Sequence, residues 1–444
     1  MGNSLYFGSQ RQEMDKTSLA SWLARLETLH PNPIDLGLER VASVAHALKL
    51  LPVGAPVITV AGTNGKGSTV AVLESMLGQV GQIAGVYTSP HLLRFNERIR
   101  VGGVEASDGE IVAAFSAIDT ARGETSLTYF EFATLAALLV FQSRSVDVLV
   151  LEVGLGGRLD AVNIVDPTVA VITRIDLDHQ AWLGEDRGSI AREKAGIMRR
   201  GIPVVIGDPE PPSELLDCAA GVGAAPLLCL GKEFGFERQA GRWQGTLQEA
   251  DGGARLLPAL PDGPLMPANI CSALQAAVLA GCEFTDRQIG DAVAQARPRG
   301  RCEAHSVAGR EYLFDVAHNP AAVYNLLEYL NATCCKGKTF AVFSVMGDKD
   351  IRAMIQAASG LFDAWFLADQ AANPRAARAA DVAAVLRAEG QMMVSVSENL
   401  REAFRRARAL MAEGDRLVVF GSFYTVAELL PLLERDHFRA EAGA

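Results

Sequence analysis

Ala61-Gly62-Thr63-Asn64-Gly65-Lys66-Gly67-Ser68-Thr69 joins an apolar, β-branched run at residues 57–60 to an amphipathic stretch at residues 66–80. This junction reads as strand, glycine-rich turn and helix, and it decides the fold class. Glycines let backbone N–H groups approach phosphate oxygens, and a helix N-terminus adds partial positive charge. Lys66, at the helix start, would neutralise the outer phosphates of a nucleotide. The spacing departs from G-x-x-x-x-G-K-[ST]: Val60 stands where the first glycine belongs, and Gly67 follows the lysine. The loop is therefore a shortened variant. A turn without ligand is the weaker reading, because a lysine buried there is costly unless an anion meets it.

Outward from the loop, strand and helix patterns alternate. Residues 83–87 read as a strand, followed by an irregular segment to about residue 103. Two helical stretches then lead to the apolar run 146–151, typical of a buried parallel strand, and residues 169–172 and 204–206 repeat the type. Strands separated by helices imply βαβ units and a parallel sheet covered on both faces. Residues 229–260 are glycine-rich, with turn signals at Gly241-Arg242 and Asp251-Gly252-Gly253, and predict an antiparallel appendage. A helix is expected at 269–281. Arg297-Pro298-Arg299-Gly300 breaks the pattern and is the candidate hinge. Beyond it, strands are expected at 312–314, 339–343, 364–367 and 417–420, with helices between. The expected organisation is a flexible lead-in at 1–17 and two α/β domains at 18–297 and 298–444, with ligands at the carboxyl ends of strands.

Bulk properties narrow the function. A chain of 444 residues exceeds one hydrophobic core, so two to three domains are expected. Its formal net charge of −11 excludes a general nucleic-acid or membrane-surface binder, while leaving room for a local anion pocket. Seven cysteines include no C-x-x-C pair, and Cys334 and Cys335 are adjacent, which favours a reducing, cytoplasmic setting. No apolar run approaches the ~20 residues of a membrane span, and the start does not read as a secretory signal.

Three further stretches carry chemistry. Glu152 ends the apolar run and opens Glu152-Val153-Gly154-Leu155-Gly156-Gly157-Arg158-Leu159-Asp160. A carboxylate at the end of a buried strand suits a magnesium ligand facing a nucleotide, against the alternative of a surface carboxylate. Asp176-Leu177-Asp178-His179 puts another polar cluster at the same sheet edge, where His179 reads equally as a ligand or as an ordinary polar residue. Lys194, within Ala191-Arg192-Glu193-Lys194-Ala195-Gly196, reads on pattern alone as a solvated helix lysine. Ser89 in Thr88-Ser89-Pro90-His91-Leu92 reads as a loop hydroxyl.

Seven motifs occur in one order: GTNGKGS (62–68), TSPHL (88–92), TYFE (128–131), LEVGLGGRLDAVN (151–163), DHQAWLG (178–184), REKAGI (192–197) and FDVAHNP (314–320). The set resembles the bacterial bifunctional dihydrofolate synthase/folylpolyglutamate synthases, kin to the Mur ligases, from about residue 18 to about residue 433. The resemblance implies a P-loop-type, parallel-sheet ATPase domain with its small antiparallel appendage, followed by a Rossmann-like α/β domain. It also implies a cytoplasmic, monomeric, ATP-dependent ligase. Such an enzyme joins L-glutamate to dihydropteroate and to folates through an acyl-phosphate, with magnesium, in two sites, as cofactor.

Position by position, Thr63, Asn64, Gly65, Lys66, Gly67 and Ser68 match the contacts to ATP phosphates. Asn269, Arg301, Asp315 and His318 match its other nucleotide contacts. Ser89, Glu152 and His179 match magnesium ligands, and Lys194 matches a lysine carbamylated in the family, which reverses its solvated reading. Lys66, Glu152, His179 and Lys194 are thus the expected catalytic set. Asp35, Leu36, Gly37 and Leu38, with Thr128, Tyr129, Phe130 and Glu131, and Leu159, Asp160 and Ala161, match dihydropteroate contacts. The chain departs from the family at Cys302, where an aromatic residue is usual, at Arg299 before Gly300, and at Val162. A Mur-type amino-acid ligase would carry a separate UDP-sugar domain before the loop, which is not expected here. A monofunctional polyglutamylase is the remaining alternative.

Overall fold

The computed structural model describes residues 17–32, 34–239 and 241–442, so all but Thr17 of the lead-in expected at 1–17 lies outside the described residues. Eight strands build the first sheet: β1 (Val57–Ala61), β2 (Ala84–Tyr87), β3 (Ile99–Val101), β4 (Val104–Glu105), β5 (Val148–Glu152), β6 (Val169–Ile172), β7 (Val204–Ile206) and β8 (Leu227–Cys229). Their order is β4-β3-β2-β5-β1-β6-β7-β8. From β2 to β8 across the sheet the pairing is parallel. All residues of β1, β2, β5, β6 and β7 are buried, as an apolar run covered on both faces requires.

The segment expected to stay irregular up to residue 103 instead ends in an antiparallel edge formed by β3 and β4. Gly102 (φ 57°) and Gly103 (φ 81°) make the turn between them. These strands are too short to give a readable period, and tertiary contacts hold them: Arg100 donates to Glu74 at 2.6–3.0 Å.

One face of the sheet carries the helices Leu19–Leu29, Glu39–Ala47, Asp108–Ala121 and Tyr129–Arg144. Trp22 and Phe132 each lie near Phe115, with ring centroids 5.8 Å apart in both pairs. Such tilted aromatic contacts add about 0.5–1.5 kcal/mol each beyond the area they bury. The other face carries the helices Lys66–Gln79, Pro267–Leu279 and Asp286–Gln295. Against it also packs the small sheet of β9 (Gly235–Gln239), β10 (Arg242–Gln248), β11 (Ala254–Leu256) and β12 (Leu260–Pro261). Every pairing in that small sheet is antiparallel, as the turn signals predict. Cys229, the first residue of the stretch read as appendage, belongs instead to the parallel sheet as the last residue of β8.

The second large sheet contains β13 (Glu303–Val307), β14 (Arg310–Phe314), β15 (Thr339–Phe343), β16 (Ala364–Ala368), β17 (Val394–Ser397) and β18 (Arg416–Phe420). Its order is β13-β14-β18-β15-β16-β17, parallel apart from the β13 edge. The two sheets are tied together. Leu92, from the loop after β2, is buried in the second sheet's core with Tyr312, Phe314 and Val316.

Candidate active site

The phosphate loop leaves β1 at its carboxyl end, between β5 and β6, and its shape depends on two glycines. Gly62 has φ +150°, and a Cβ there would lie 1.7 Å from Thr173 Oγ1. Gly65 caps the helix Lys66–Gln79 in the left-handed region (φ 96°). A Cβ on Gly65 would come within 2.4 Å of Asn269 Oδ1, so Asn269, from the helix Pro267–Leu279, stands directly against the loop. Thr63 is pinned by its N–H to Arg174 O (2.8 Å) and by its hydroxyl to Asp176 O (3.0 Å). Gly67 and Ser68 are half-buried in the first helical turn. Gly65→Ala should weaken ATP binding at least about tenfold, since both the backbone region and the contact with Asn269 are lost. Nucleotide titration by calorimetry measures this, and an unchanged affinity would remove Gly65 from the loop's working geometry.

Two lysines converge on one carbonyl. Lys66 Nζ donates to Gly62 O at 3.0 Å, and Lys194 Nζ donates to the same oxygen at 2.9 Å. Lys194 is buried, on the helix Arg187–Ala195, so its solvated reading from pattern alone is overturned. Burial, and then the charge of Lys66, pull its ammonium down to about 7. Burial likewise lowers Lys66, opposed chiefly by Glu152. Like charges so placed favour one neutral amine.

Glu152 ends β5 beside β1, paired in register with Val60. It is buried, and its Oε2 accepts the Ser89 N–H at 3.3 Å. Burial raises its carboxyl above the usual carboxylate range, against the opposing charges of Lys66 and Arg301. A buried carboxylate so sparsely satisfied suits a cation. Asn64 Nδ2, buried with no partner, suits an anionic oxygen in the same way. His179 lies at the other rim, exposed and in the left-handed region (φ 53°). Among the described residues there is no cluster of three or more His, Cys, Asp or Glu fit for a metal. The candidate metal set is therefore a mixed one, comprising one hydroxyl, one carboxylate, one imidazole and one lysine.

The second sheet contributes its own carboxyl edge. Asp315, just past β14, accepts N–H bonds from Cys302 and Ala317, both at 2.7 Å. Burial raises its carboxyl, opposed chiefly by Arg301. Arg301 lies over the Phe423 ring, 5.6 Å from its centroid. Cys302 turns through φ 42° and packs, partly buried, against the second core. A cleft of about 790 Å³ joins the two units, with Gly67, Ser89, Glu152, Arg297, Arg301 and Phe423 in its walls. Asn269, Asp315 and His318 are not part of its lining.

Asp178, within the polar cluster that the sequence marks at this sheet edge, forms a hub whose partners sequence patterning did not indicate. Its carboxylate meets His318 Nε2 at 3.3 Å, Asn319 Nδ2 at 3.2 Å and Lys349 Nζ at 2.5 Å. Burial works against its charge, but His318, His179 and Lys349 overcome this and hold it well below the usual range. Asn319 and Asp178 fall within quoted motifs, whereas Lys349 had no local signal.

The expected dihydropteroate residues gather on the opposite face of the first sheet. Asp35 pairs with Arg40 Nη1 at 2.9 Å, and Arg40 Nη2 also reaches Glu131 at 3.2 Å. Leu36, Gly37 and Leu38 are half-buried beside them. Thr128 and Glu131 form a capping box on the helix Tyr129–Arg144, with the Thr128 N–H donating to Glu131 at 2.7 Å. Their T-x-x-E spacing is a helix-start signal in its own right. Thr128→Ala should therefore cost about 1 kcal/mol of stability, measurable by urea unfolding; no loss would deny the cap.

Phe130 packs against Gly154, where a Cβ would meet its ring at 2.6 Å, and lies 5.9 Å from the Tyr87 ring. Tyr129 lies near Phe95 and under Arg98. Asp160 is buried, accepting the N–H groups of Leu155 (2.8 Å) and Val162 (2.9 Å). Burial pushes its carboxyl up to about 6 despite these bonds. Leu159 is half-buried, and Ala161 is buried in the turn that Asp160 caps.

Comparison with known proteins adds the following. Residues 60–206 match the Mur ligase middle domain, and residues 300–423 match the Mur ligase, glutamate ligase domain. The dihydrofolate synthase/folylpolyglutamate synthase of Escherichia coli (strain K12) is 43% identical over 426 residues, covering 96% of this chain and 98% of that protein. The structure of E. coli FolC in complex with DHPP and ADP superposes with a TM-score of 0.88 at 42% identity, over 94% of this chain and 98% of the other. A bifunctional folylpolyglutamate synthase/dihydrofolate synthase with Mn, AMPPNP and L-glutamate bound gives 0.85 at 41% identity, with the same coverage.

Proposed function

The chain belongs to the dihydrofolate synthase/folylpolyglutamate synthase family of Mur ligases, and on that premise we propose the residue roles that follow. The protein is an ATP-dependent ligase that joins L-glutamate to dihydropteroate, and to the γ-carboxylate of folates, through an acyl-phosphate. The convergence of Lys66 and Lys194 on Gly62 O, beside the buried Glu152, is the observation that best supports the roles.

The substrate carboxylate attacks the γ-phosphorus of ATP, and ADP departs. Lys66, the loop N–H groups of Gly65, Gly67 and Ser68 and the side-chain amide of Asn64 stabilise the phosphoryl oxygens in this step, while Thr63, bonded to Arg174 and Asp176, holds the loop in shape. Asn269, Arg301, Asp315 and His318 hold the rest of the nucleotide. The amine of L-glutamate then attacks the acyl carbon, a tetrahedral adduct forms, and phosphate leaves with the amine's proton passing to solvent. Ser89, Glu152, His179 and Lys194 as its carbamate would hold two magnesium ions, which supply charge neutralisation around the γ-phosphate when bound. A neutral Lys194 amine and CO₂ give an anionic carbamate on a long stem, which suits that role.

On the pterin side, Phe130 and Tyr129 offer aromatic faces and Asp160 an acceptor for ring N–H groups. Asp35, Leu36, Gly37, Leu38, Thr128, Glu131, Leu159 and Ala161 complete the pocket for dihydropteroate. The chain divides at residues 297/298 into an ATP- and pterin-binding domain and a C-terminal domain. The enzyme works as a cytoplasmic monomer. Free thiols at every cysteine support a reducing compartment, and no helix of the described residues is long and apolar enough to cross a membrane.

The test is glutamate-dependent ADP release, first with dihydropteroate and then with a tetrahydrofolate. Turnover with both is expected. Turnover with the folate alone would indicate a monofunctional polyglutamylase, and silence with both would overturn the ligase reading.

A further inference from the structure

The Asp178 hub joins the two carboxyl edges at a single carboxylate. Oδ1 accepts from Lys349 Nζ (2.5 Å) and from the His179 N–H (2.8 Å). Oδ2 receives Asn319 Nδ2 (3.2 Å) and faces His318 Nε2 (3.3 Å). Three of these four partners come from the second sheet's side. Asn319 Nδ2 continues to Asn64 Oδ1 at 3.1 Å, so the same contact reaches the phosphate loop. The ion pair is nearly dry, with side-chain exposures of 9% for Lys349 and 7% for Asp178. Lys349 sits in the turn between β15 and the helix Ile351–Ala357, at the second sheet's edge. Its neighbouring acid Asp348 is farther, at 3.7 Å, and half its side chain is exposed.

A buried pair of this kind adds little net stability beyond an apolar contact, but removing one partner strands the other charge. Its effect is to make one relative placement of the two units strongly preferred. That placement puts the phosphate loop, His179 and the second sheet's edge around the reacting centre.

We propose that Lys349 is a positioning residue which, through Asp178, latches the two units closed while the acyl-phosphate exists and so couples ATP cleavage to amide formation. If the latch is lost, water reaches the intermediate. Its oxygen attacks the acyl carbon, the bond from that carbon to the phosphate oxygen breaks, and inorganic phosphate leaves. The starting carboxylate is regenerated with release of a proton, so the net reaction is ATP plus water to ADP plus phosphate. This proposal rests on the acyl-phosphate route. A wild-type enzyme making no glutamate-dependent product would refute that route and not the latch.

The experiment compares phosphate released with amide formed, using dihydropteroate and saturating L-glutamate, in wild type, Lys349→Met and Lys349→Arg. Thermal unfolding of each confirms a folded chain, and Lys349→Gln replaces Lys349→Met if the latter does not fold. Wild type should release one phosphate per amide. Lys349→Met should exceed about two, with kcat for amide down about tenfold and KM for glutamate within about twofold. Lys349→Arg should restore part of the coupling, since it keeps the charge. A ratio that stays at one in the neutral variant overturns the latch. A rise confined to KM for glutamate also overturns it, and would make Lys349 a contact to the amino acid.

Discussion

Lys194→Ala should lose ligation by about a hundredfold to a thousandfold, the usual effect of removing one group that stabilises charge on a transferring phosphoryl. The buried amine has no other evident use: its one hydrogen bond, to Gly62 O, duplicates that of Lys66. Truncation leaves the loop held by Thr63, so thermal stability should change little beside activity. Small carboxylates such as acetate or formate should restore part of the rate to the alanine variant, because they return an anion to the vacated stem. Reactivation of bicarbonate-stripped wild type by added bicarbonate should rise with pH through about 7. The sign follows from the neutral amine being the form that attacks CO₂, and this form grows above the lowered pKa. Near-normal turnover in Lys194→Ala would end the carbamate assignment.

Glu152→Gln should cost at least about a hundredfold in kcat and raise the magnesium concentration needed for half-maximal rate. The amide keeps the shape of the side chain and its acceptor for the Ser89 N–H. The fold should survive, because burial already disfavours the charge of Glu152 and the neutral amide removes that penalty. An unchanged magnesium titration would take Glu152 out of the metal site whatever happened to the rate.

Both positions show where local pattern succeeds and where it stops. Glu152 was readable because it ends an apolar run next to glycines, and β5 does lie beside β1. Lys194 was not, since it follows Arg192 and Glu193 in a helical stretch with no buried-face pattern of its own. Its burial follows from two close approaches. A Cβ on Gly157 would lie 2.9 Å from Glu193 O, and one on Gly196 would lie 2.4 Å from Arg158 Cα. Those glycines let the loop after β5 press against the helix that carries Lys194. Thr128 and Glu131 show the opposite case. Their capping-box spacing was plain in the sequence, yet the resemblance drew attention to a ligand role alone. The hairpin of β3 and β4 escaped because strands of three and two residues carry no period.

Sequence by itself determined the phosphate loop, the alternation of five of the first sheet's six parallel strands with helices, the antiparallel insertion and the family. Each of these is written within a few consecutive residues, in apolar periodicity, turn chemistry or ordered motifs. Tertiary structure alone decided that Lys66 and Lys194 share Gly62 O and that Asp178 gathers Asn319, His318 and Lys349. Lys349 stands 171 residues from Asp178. No local preference encodes such a pairing, because it exists only once two sheets have formed and their carboxyl edges have been brought face to face.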